Sequence, residues 1–240
     1  MIGIDSDDAG SAQARADAAG DRRETQVAVG VRATYDAVAR AYAAQLVDEL
    51  NGKPLDRALL EGFLELAGPG TIADVGCGPG HVTRFLAARH ADVIGIDLSP
   101  RMIGIAREQA PTLTFVAGSM LQLPAADDAW SGAIALYSII HLTAGERAIA
   151  CHEFARTVRP GGWLLVAFHI DGPDFAAGEV NHLTNWFGES VEVDVYFLES
   201  ADVVRDIEAA GFTIMSTLIR QPWPEVEYPS RRCYIVAQRH

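Results

Sequence analysis

The residues most capable of chemistry are an acid and three glycines. In "ADVGCGPGHVTRFLA", residues 73–87, Asp74 precedes Gly76, Gly78 and Gly80. An apolar run leads in and a helical pattern leads out. Glycines between a strand and a helix let backbone come close to a ligand. A phosphate cradle of the GxxxxGK type is excluded, because the loop carries no lysine. The dinucleotide fingerprint GxGxxG is not met, because the position that needs the third glycine is His81. A second acid, Asp97, ends the run "VIGID" about 20 residues beyond the first loop glycine. A carboxylate there accepts hydrogen bonds from two adjacent ribose hydroxyls. Loop and acid together describe a site for an adenosine-bearing ligand.

Such a site needs strands that end side by side, and the sequence alternates accordingly. "TIADVG", "ADVIGID", "LTFVAG", "WSGAIALYSI" and "RPGGWLLVAFH" read as buried strands, with helical patterns between them. Ser99 and Pro100 start one helix as N-cap and first helical residue. Thr143 and Glu146 start another as a capping box. Apolar strands alternating with amphipathic helices predict a mostly parallel sheet covered on both faces. "FTIMSTLIR" and "RRCYIVAQR" have no helix between them, which predicts an antiparallel pair at one sheet edge. Residues 170–199 break the rhythm and read as an insertion. Upstream, 1–26 lack apolar periodicity and read as a mobile tail, and 27–67 as a helical segment interrupted at Asn51, Gly52 and Pro54. The main domain is expected over 68–240.

Composition narrows the function classes. The 240 residues are 49% hydrophobic, enough for a buried core. A net charge of −13 disfavours partners that present phosphates, whether nucleic acid or anionic lipid. Cys77, Cys151 and Cys233 have no zinc spacing and read as free thiols, with no metal expected. With neither a signal-peptide pattern nor an apolar run of about 20 residues, a cytoplasmic location and no membrane partner are expected.

"DVGCGPG", "GIDLSPRMI", "GSMLQLP" and "RPGGWLLVAF" together resemble the class I S-adenosylmethionine-dependent methyltransferases, in their small-molecule branch. The resemblance covers residues 30–169 by motif. It implies a Rossmann-like fold with a mostly parallel seven-stranded sheet and an antiparallel edge strand. It also implies S-adenosylmethionine as donor, S-adenosylhomocysteine as product and a small-molecule acceptor. By the same resemblance Asp74 orients the methionine end, and Gly76, Cys77, Gly78 and Gly80 shape the loop beneath it. Asp97 holds the ribose, and Leu98 and Met102 sandwich the adenine. Ser119 and Met120 reach its edge, while Tyr137 and Ser138 lie beside the sulfonium. Ser119 departs from the aspartate of many relatives and offers the adenine amino group an uncharged acceptor.

A sulfonium methyl is already activated, so placing the acceptor in line with the C–S bond supplies much of the rate. A base is needed only where the acceptor must lose a proton. His141, just past the fourth strand, and His169, ending the fifth, are the candidates, with His141 preferred. Either histidine also fits a structural role bonded to backbone. In "NHLTNWF", His182, Trp186 and Phe187 are expected to wall the acceptor pocket, or else to sit on an ordinary helix packed on the sheet. Tyr35 and Tyr42 fit a lid, Tyr35 toward the cofactor and Tyr42 toward the acceptor, and fit plain core packing as well. Arg231 and Arg232 either meet an acidic substrate or face solvent. Two other classes stay open: a nicotinamide-dependent oxidoreductase, since Asp97 also suits NAD, and a non-catalytic S-adenosylmethionine-binding protein.

Overall fold

The computed structural model describes residues 26–240, so the tail expected over 1–26 lies, apart from Gln26, outside the described residues. Helix α1 (Gln26–Leu46) leads through a 3-10 turn at Glu49–Gly52 into α2 (Pro54–Ala67). Strands and helices then alternate as β1 (Ile72–Val75), α3 (His81–Ala87), β2 (Val93–Asp97), α4 (Pro100–Gln109) and β3 (Thr114–Ala117). They continue as β4 (Trp130–Leu136), α5 (Ala144–Thr157) and β5 (Val158–Asp171). A hairpin of β6 (Val180–Trp186) and β7 (Glu189–Tyr196) precedes α6 (Ser200–Ala209), β8 (Phe212–Arg220) and β9 (Arg231–Arg239).

The seven-stranded sheet has the order β3-β2-β1-β4-β5-β9-β8. β1 pairs in parallel with both β2 and β4, so strand order reverses there and a crevice opens at the carboxyl ends. β1 is buried along its whole length, as a strand covered on both faces requires. Leu60, Phe63, Leu86, Ile134 and Leu165 pack one face. Phe154, Val166, Phe168, Ile207 and Phe212 pack in the other large cluster. Both expected caps form: Ser99 Oγ accepts from Met102 N at 3.1 Å, and Thr143 with Glu146 makes the capping box.

Residues 212–220 and 231–239 do pair antiparallel, and the reversed strand is β9, one place in from the edge. Cys233, Tyr234, Ile235 and Ala237 are buried on both faces of β9, whereas β8 is largely exposed, which selects β8 for the edge. The fourth strand is shorter than its sequence suggests. It ends at Leu136, Tyr137 turns into the left-handed region at φ 54°, and a 3-10 turn carries Ile139–His141.

The insertion is a separate two-stranded sheet, so the helical alternative for 181–187 does not hold. Alternation in "ESVEVDVY" favours a strand, and the two residues between β6 and β7, Phe187 and Gly188, have φ of 52° and 82°. That sign pair is the type I′ hairpin turn, whose twist matches its strands. The hairpin packs on α1, where Thr34 Oγ1 donates to Glu192 O at 3.3 Å.

Candidate active site

The three loop glycines have different jobs. All have positive φ (79°, 53° and 80° for Gly76, Gly78 and Gly80). A Cβ on Gly76 would lie 2.2 Å from that of Ser138, so only glycine lets the β1 loop pass the end of β4. Gly78 borders the cavity and donates its N–H to Asp97 Oδ2 at 2.8 Å. Gly80 does not reach the cavity. It caps α3, and a Cβ there would strike Phe115 at 2.8 Å. Cys77 lines the loop with a buried thiol pushed well up by burial and by Asp74 and Asp97, which leaves it no nucleophile.

Asp97 accepts from Gly78 N and Ser99 N, both at 2.8 Å, one bond to each oxygen. Each carboxylate oxygen keeps a second lone pair for a ligand. Burial pushes its pKa up to about 6, against the pull of those two N–H donors. Asp74 is buried, accepts from Thr83 Oγ1 at 2.6 Å and is raised by burial as well. Ser138 Oγ donates to Val75 O at 2.9 Å, which fixes β4 beside the loop.

A cavity of about 700 Å³ starts at this crevice, in the size range of small-molecule sites. Asp74, Gly76, Gly78, Asp97 and Leu98 line one part of it. Ser119, Met120, Tyr137 and Ser138 line the part next to it. Room, glycine backbone and a two-acceptor carboxylate together fit the adenosine and methionine parts of the donor. Met102 is a correction: it is fully buried among Ala39, Ala43 and Ile105, beneath α1, and lies outside the cavity. Helix α1 covers this face of α4.

Beyond Tyr137 and Ser138 the cavity continues between α1, the hairpin and the β8–β9 loop. His141 is buried at its wall, with Nδ1 2.8 Å from Asp194 O and Nε2 2.7 Å from the Tyr35 hydroxyl. A carbonyl only accepts, so Nδ1 carries the hydrogen. The neutral ring then accepts at Nε2, and Tyr35 donates. Burial lowers the His141 pKa, partly offset by the bond to Asp194. His169 has Nδ1 2.7 Å from Ser230 Oγ and its ring stacked on Tyr137 at 5.1 Å. Burial, then Arg232 and Lys53, push it down to about 3.

Tyr35, Tyr42 and Trp186 meet edge to face at 5.4–5.6 Å, and Phe187 stacks on Trp186. All four line the cavity. His182 does not. Its side chain is 70% exposed and bonds Asp194 Oδ1 at 2.5 Å, because strand alternation turns it outward while Asn181 and Leu183 face in. The two arginines also separate: Arg232 is buried at the cavity, and Arg231 pairs with Asp171 on the surface.

A charged network in the wall between α2, β9 and the β8–β9 loop escaped sequence reasoning. Arg220 binds Glu227 (Nη1–Oε2 2.7 Å) and Asp56 (Nη2–Oδ2 2.9 Å). Tyr234 donates to Asp56 at 2.8 Å and meets the Tyr137 hydroxyl at 2.7 Å. Lys53 Nζ lies 3.3 Å from Glu227 Oε1. No periodic pattern marks Lys53, Glu227 or Tyr228. The only local signal is the density of prolines in 221–229, which indicates an ordered loop. Among the described residues no cluster of His, Cys, Asp and Glu is able to hold a metal, and no helix is long and apolar enough to cross a membrane.

Residues 72–162 match the family model described as a methyltransferase domain. The chain is 31% identical over 159 residues to an O-methyltransferase of Pyrenophora dematioidea, covering 62% of this chain and 57% of that protein. It is 34% identical over 149 residues to the ubiquinone/menaquinone biosynthesis C-methyltransferase UbiE of Syntrophotalea carbinolica, covering 56% and 59%. The chain thus spans less than two thirds of the length of these curated relatives. Among solved structures, a SAM-dependent methyltransferase from Methanosarcina mazei superposes with a TM-score of 0.67 at 17% identity, over 75% of this chain and 96% of that one. Magnesium protoporphyrin IX methyltransferase from Synechocystis PCC 6803 gives 0.66 at 20%, over 91% and 100%. These two likenesses concern the fold. Together with the sequence matches over the strand–loop–helix units that build the crevice, they make residues 72–162 similar to a methyltransferase domain, on a fold shared with S-adenosylmethionine-dependent methyltransferases.

Proposed function

We propose that the protein transfers a methyl group from S-adenosylmethionine to a largely apolar small molecule. The observation that carries this is the continuity of one cavity. It begins at Asp97 and the glycine loop, passes Tyr137 and Ser138, and ends among Tyr35, His141, Leu183, Trp186 and Phe197. In this reading Asp97 holds the ribose, Asp74 and the loop hold the methionine end, Leu98 lies on the adenine, and Ser119 and Met120 meet its edge. Tyr42, 3.8 Å from where a Cβ on Gly78 would sit, closes over the loop. Relatives named for both O- and C-methylation support methyl transfer without choosing the acceptor atom.

Donor and acceptor held in one water-poor cavity gain rate from orientation. His141 is the better proton acceptor of the two histidines. Its Nδ1 is anchored on a backbone carbonyl and its Nε2 is basic, whereas His169, with a pKa of about 3, hardly takes a proton near neutrality. His169 instead positions Tyr137 by stacking.

Calorimetry with S-adenosylhomocysteine and NAD tests the donor. Micromolar binding of the first and none of the second is expected, and the reverse would replace methyl transfer by hydride transfer. A screen with methyl-labelled donor over aromatic and prenylated acceptors tests the transfer. Tight donor binding with no label moved over a wide panel would make this a binding protein.

A further inference from the structure

Both ring nitrogens of His141 are engaged, Nδ1 by Asp194 O and Nε2 by the Tyr35 hydroxyl. The Tyr35 hydroxyl donates to Nε2 at 2.7 Å, the only hydrogen-bond partner the hydroxyl has among the described residues, and both side chains line the cavity. The Tyr35 ring is fixed on three sides by Tyr42 at 5.6 Å, His141 at 5.3 Å and Trp186 at 5.6 Å. The oxygen lone pairs remain for the acceptor. The imidazole is therefore not presented to the acceptor directly, and a proton bound for it has to pass through the phenol.

Given the methyl transfer proposed above, on which this rests, we infer that Tyr35 is a catalytic residue and that the acceptor carries an acidic hydroxyl, phenolic or enolic. In the step, the acceptor O–H proton moves to the Tyr35 oxygen as the Tyr35 proton moves to Nε2 of His141. The freed oxygen pair forms the bond to the methyl carbon. The C–S pair stays on sulfur, which becomes a neutral thioether. One positive charge passes from sulfur to the imidazolium, whose Nδ1–H keeps its bond to Asp194 O. Solvent takes the extra proton after release.

The same geometry selects the acceptor. Tyr35 is a neutral relay and His141 a neutral imidazole buried in the wall, so neither pulls a proton from a group far less acidic than itself. A phenol, with a pKa of about 10, matches a relay built of phenol and imidazole far better than an aliphatic alcohol. One group of charged side chains in this wall is paired within itself. Lys53, Arg220 and Arg232 engage Glu227, and Asp56 engages Arg220 and Tyr234.

The test uses the full chain, S-adenosylmethionine as methyl donor and a series of phenols from 4-methoxyphenol to 4-nitrophenol, at a pH where only the last is ionised, with S-adenosylhomocysteine for the binding measurement. For Tyr35→Phe, the wild-type-to-variant ratio of kcat is expected to be about 100 on 4-methoxyphenol and near one on 4-nitrophenol. KM and S-adenosylhomocysteine affinity should stay within about threefold. His141→Gln should show the same slope. A Tyr35 that only packs would depress every phenol equally or weaken S-adenosylhomocysteine binding, and either result overturns the relay. If the variants do not fold, a proton inventory on the wild-type enzyme decides: a bowed curve is expected for two protons in flight, and a straight line overturns it. A protein that binds S-adenosylhomocysteine and methylates no phenol loses this proposal and keeps the methyl-transfer reading. One that does not bind S-adenosylhomocysteine loses both.

Discussion

Asp97 is a buried carboxylate that takes up a proton more readily than an exposed one. Burial raises its pKa to about 6, with Asp74 and Asp36 adding to the effect. If Asp97 holds two ribose hydroxyls as proposed, it does so in the charged form, and donor affinity then depends on pH through this group. Calorimetry should find S-adenosylhomocysteine affinity level above pH 7 and falling about tenfold per unit below pH 6. In Asp97→Asn that slope should vanish while affinity drops throughout. For folding the sign is opposite: a raised carboxyl favours the folded state below its unfolded value, and this contribution is lost as pH rises through about 6. Ser119 gives a second prediction. Its Oγ accepts from Leu121 N at 3.1 Å, which leaves one uncharged lone pair for an amino group. Aspartate can keep that bond with one oxygen and offer the other to an adenine amino group. Ser119→Asp is expected to tighten S-adenosylhomocysteine binding severalfold in the same calorimeter.

Helix α1 is the element that makes the crevice a chamber. It is tied at both ends of the site. Asp36 accepts from Ser99 Oγ at 2.5 Å and Arg101 N at 3.1 Å, and Tyr35 reaches His141. Those ties explain why Met102, expected at the adenine, is packed beneath α1 instead. Asp36→Ala removes bonds to a charged acceptor, each worth about 1.5–3 kcal/mol. Hydrogen exchange over 26–46 should accelerate at least tenfold and S-adenosylhomocysteine affinity should fall about tenfold, with strands β1, β4 and β5 as protected as before. Equal protection of α1 in the variant would show that packing on the hairpin, and not Asp36, holds the helix down. The hairpin was hard to foresee for a local reason. "NHLTNWF" carries a weak period, and its turn places Phe187, a bulky residue, at positive φ, where sequence rules look for asparagine or aspartate.

Across the whole molecule, one buried charge cluster joins α2, β8, β9 and the loop between them to the wall of the cavity. Burial raises the Glu227 carboxyl, and Arg220, the Trp223 N–H, Arg232 and Lys53 more than reverse this, down to about 2. Glu227→Ala leaves the guanidinium of Arg220 short of a partner in a buried site. That kind of loss costs about 3–5 kcal/mol, read as a lower urea midpoint with an unchanged slope. The stabilisation belongs to the charged form. It is complete above the ordinary carboxyl value of 4.5 and lost as pH falls toward about 2, so wild type and variant should converge in stability in acid.

The sequence alone determined the parts of this protein that are local or periodic. The acid–glycine loop, the caps at Ser99 and Thr143, the strand–helix alternation and Asp97 at the end of β2 all depend on neighbours within a few residues. Backbone sterics and hydrophobic period suffice to read them. Tertiary structure alone decided which side chains from distant segments share one cavity. Tyr35 and His141 are 106 positions apart and Asp56 and Tyr234 are 178 apart. The burial of Met102 follows from a facing helix that no local pattern records, and which face of its strand His182 or Arg232 takes has meaning only once the fold sets one face toward the cavity. The part of the cavity at Asp97 and the glycine loop is built on the regular sheet and is legible in the chain. The part beyond Tyr137 is built from a helix, a hairpin and a loop that meet only in the fold.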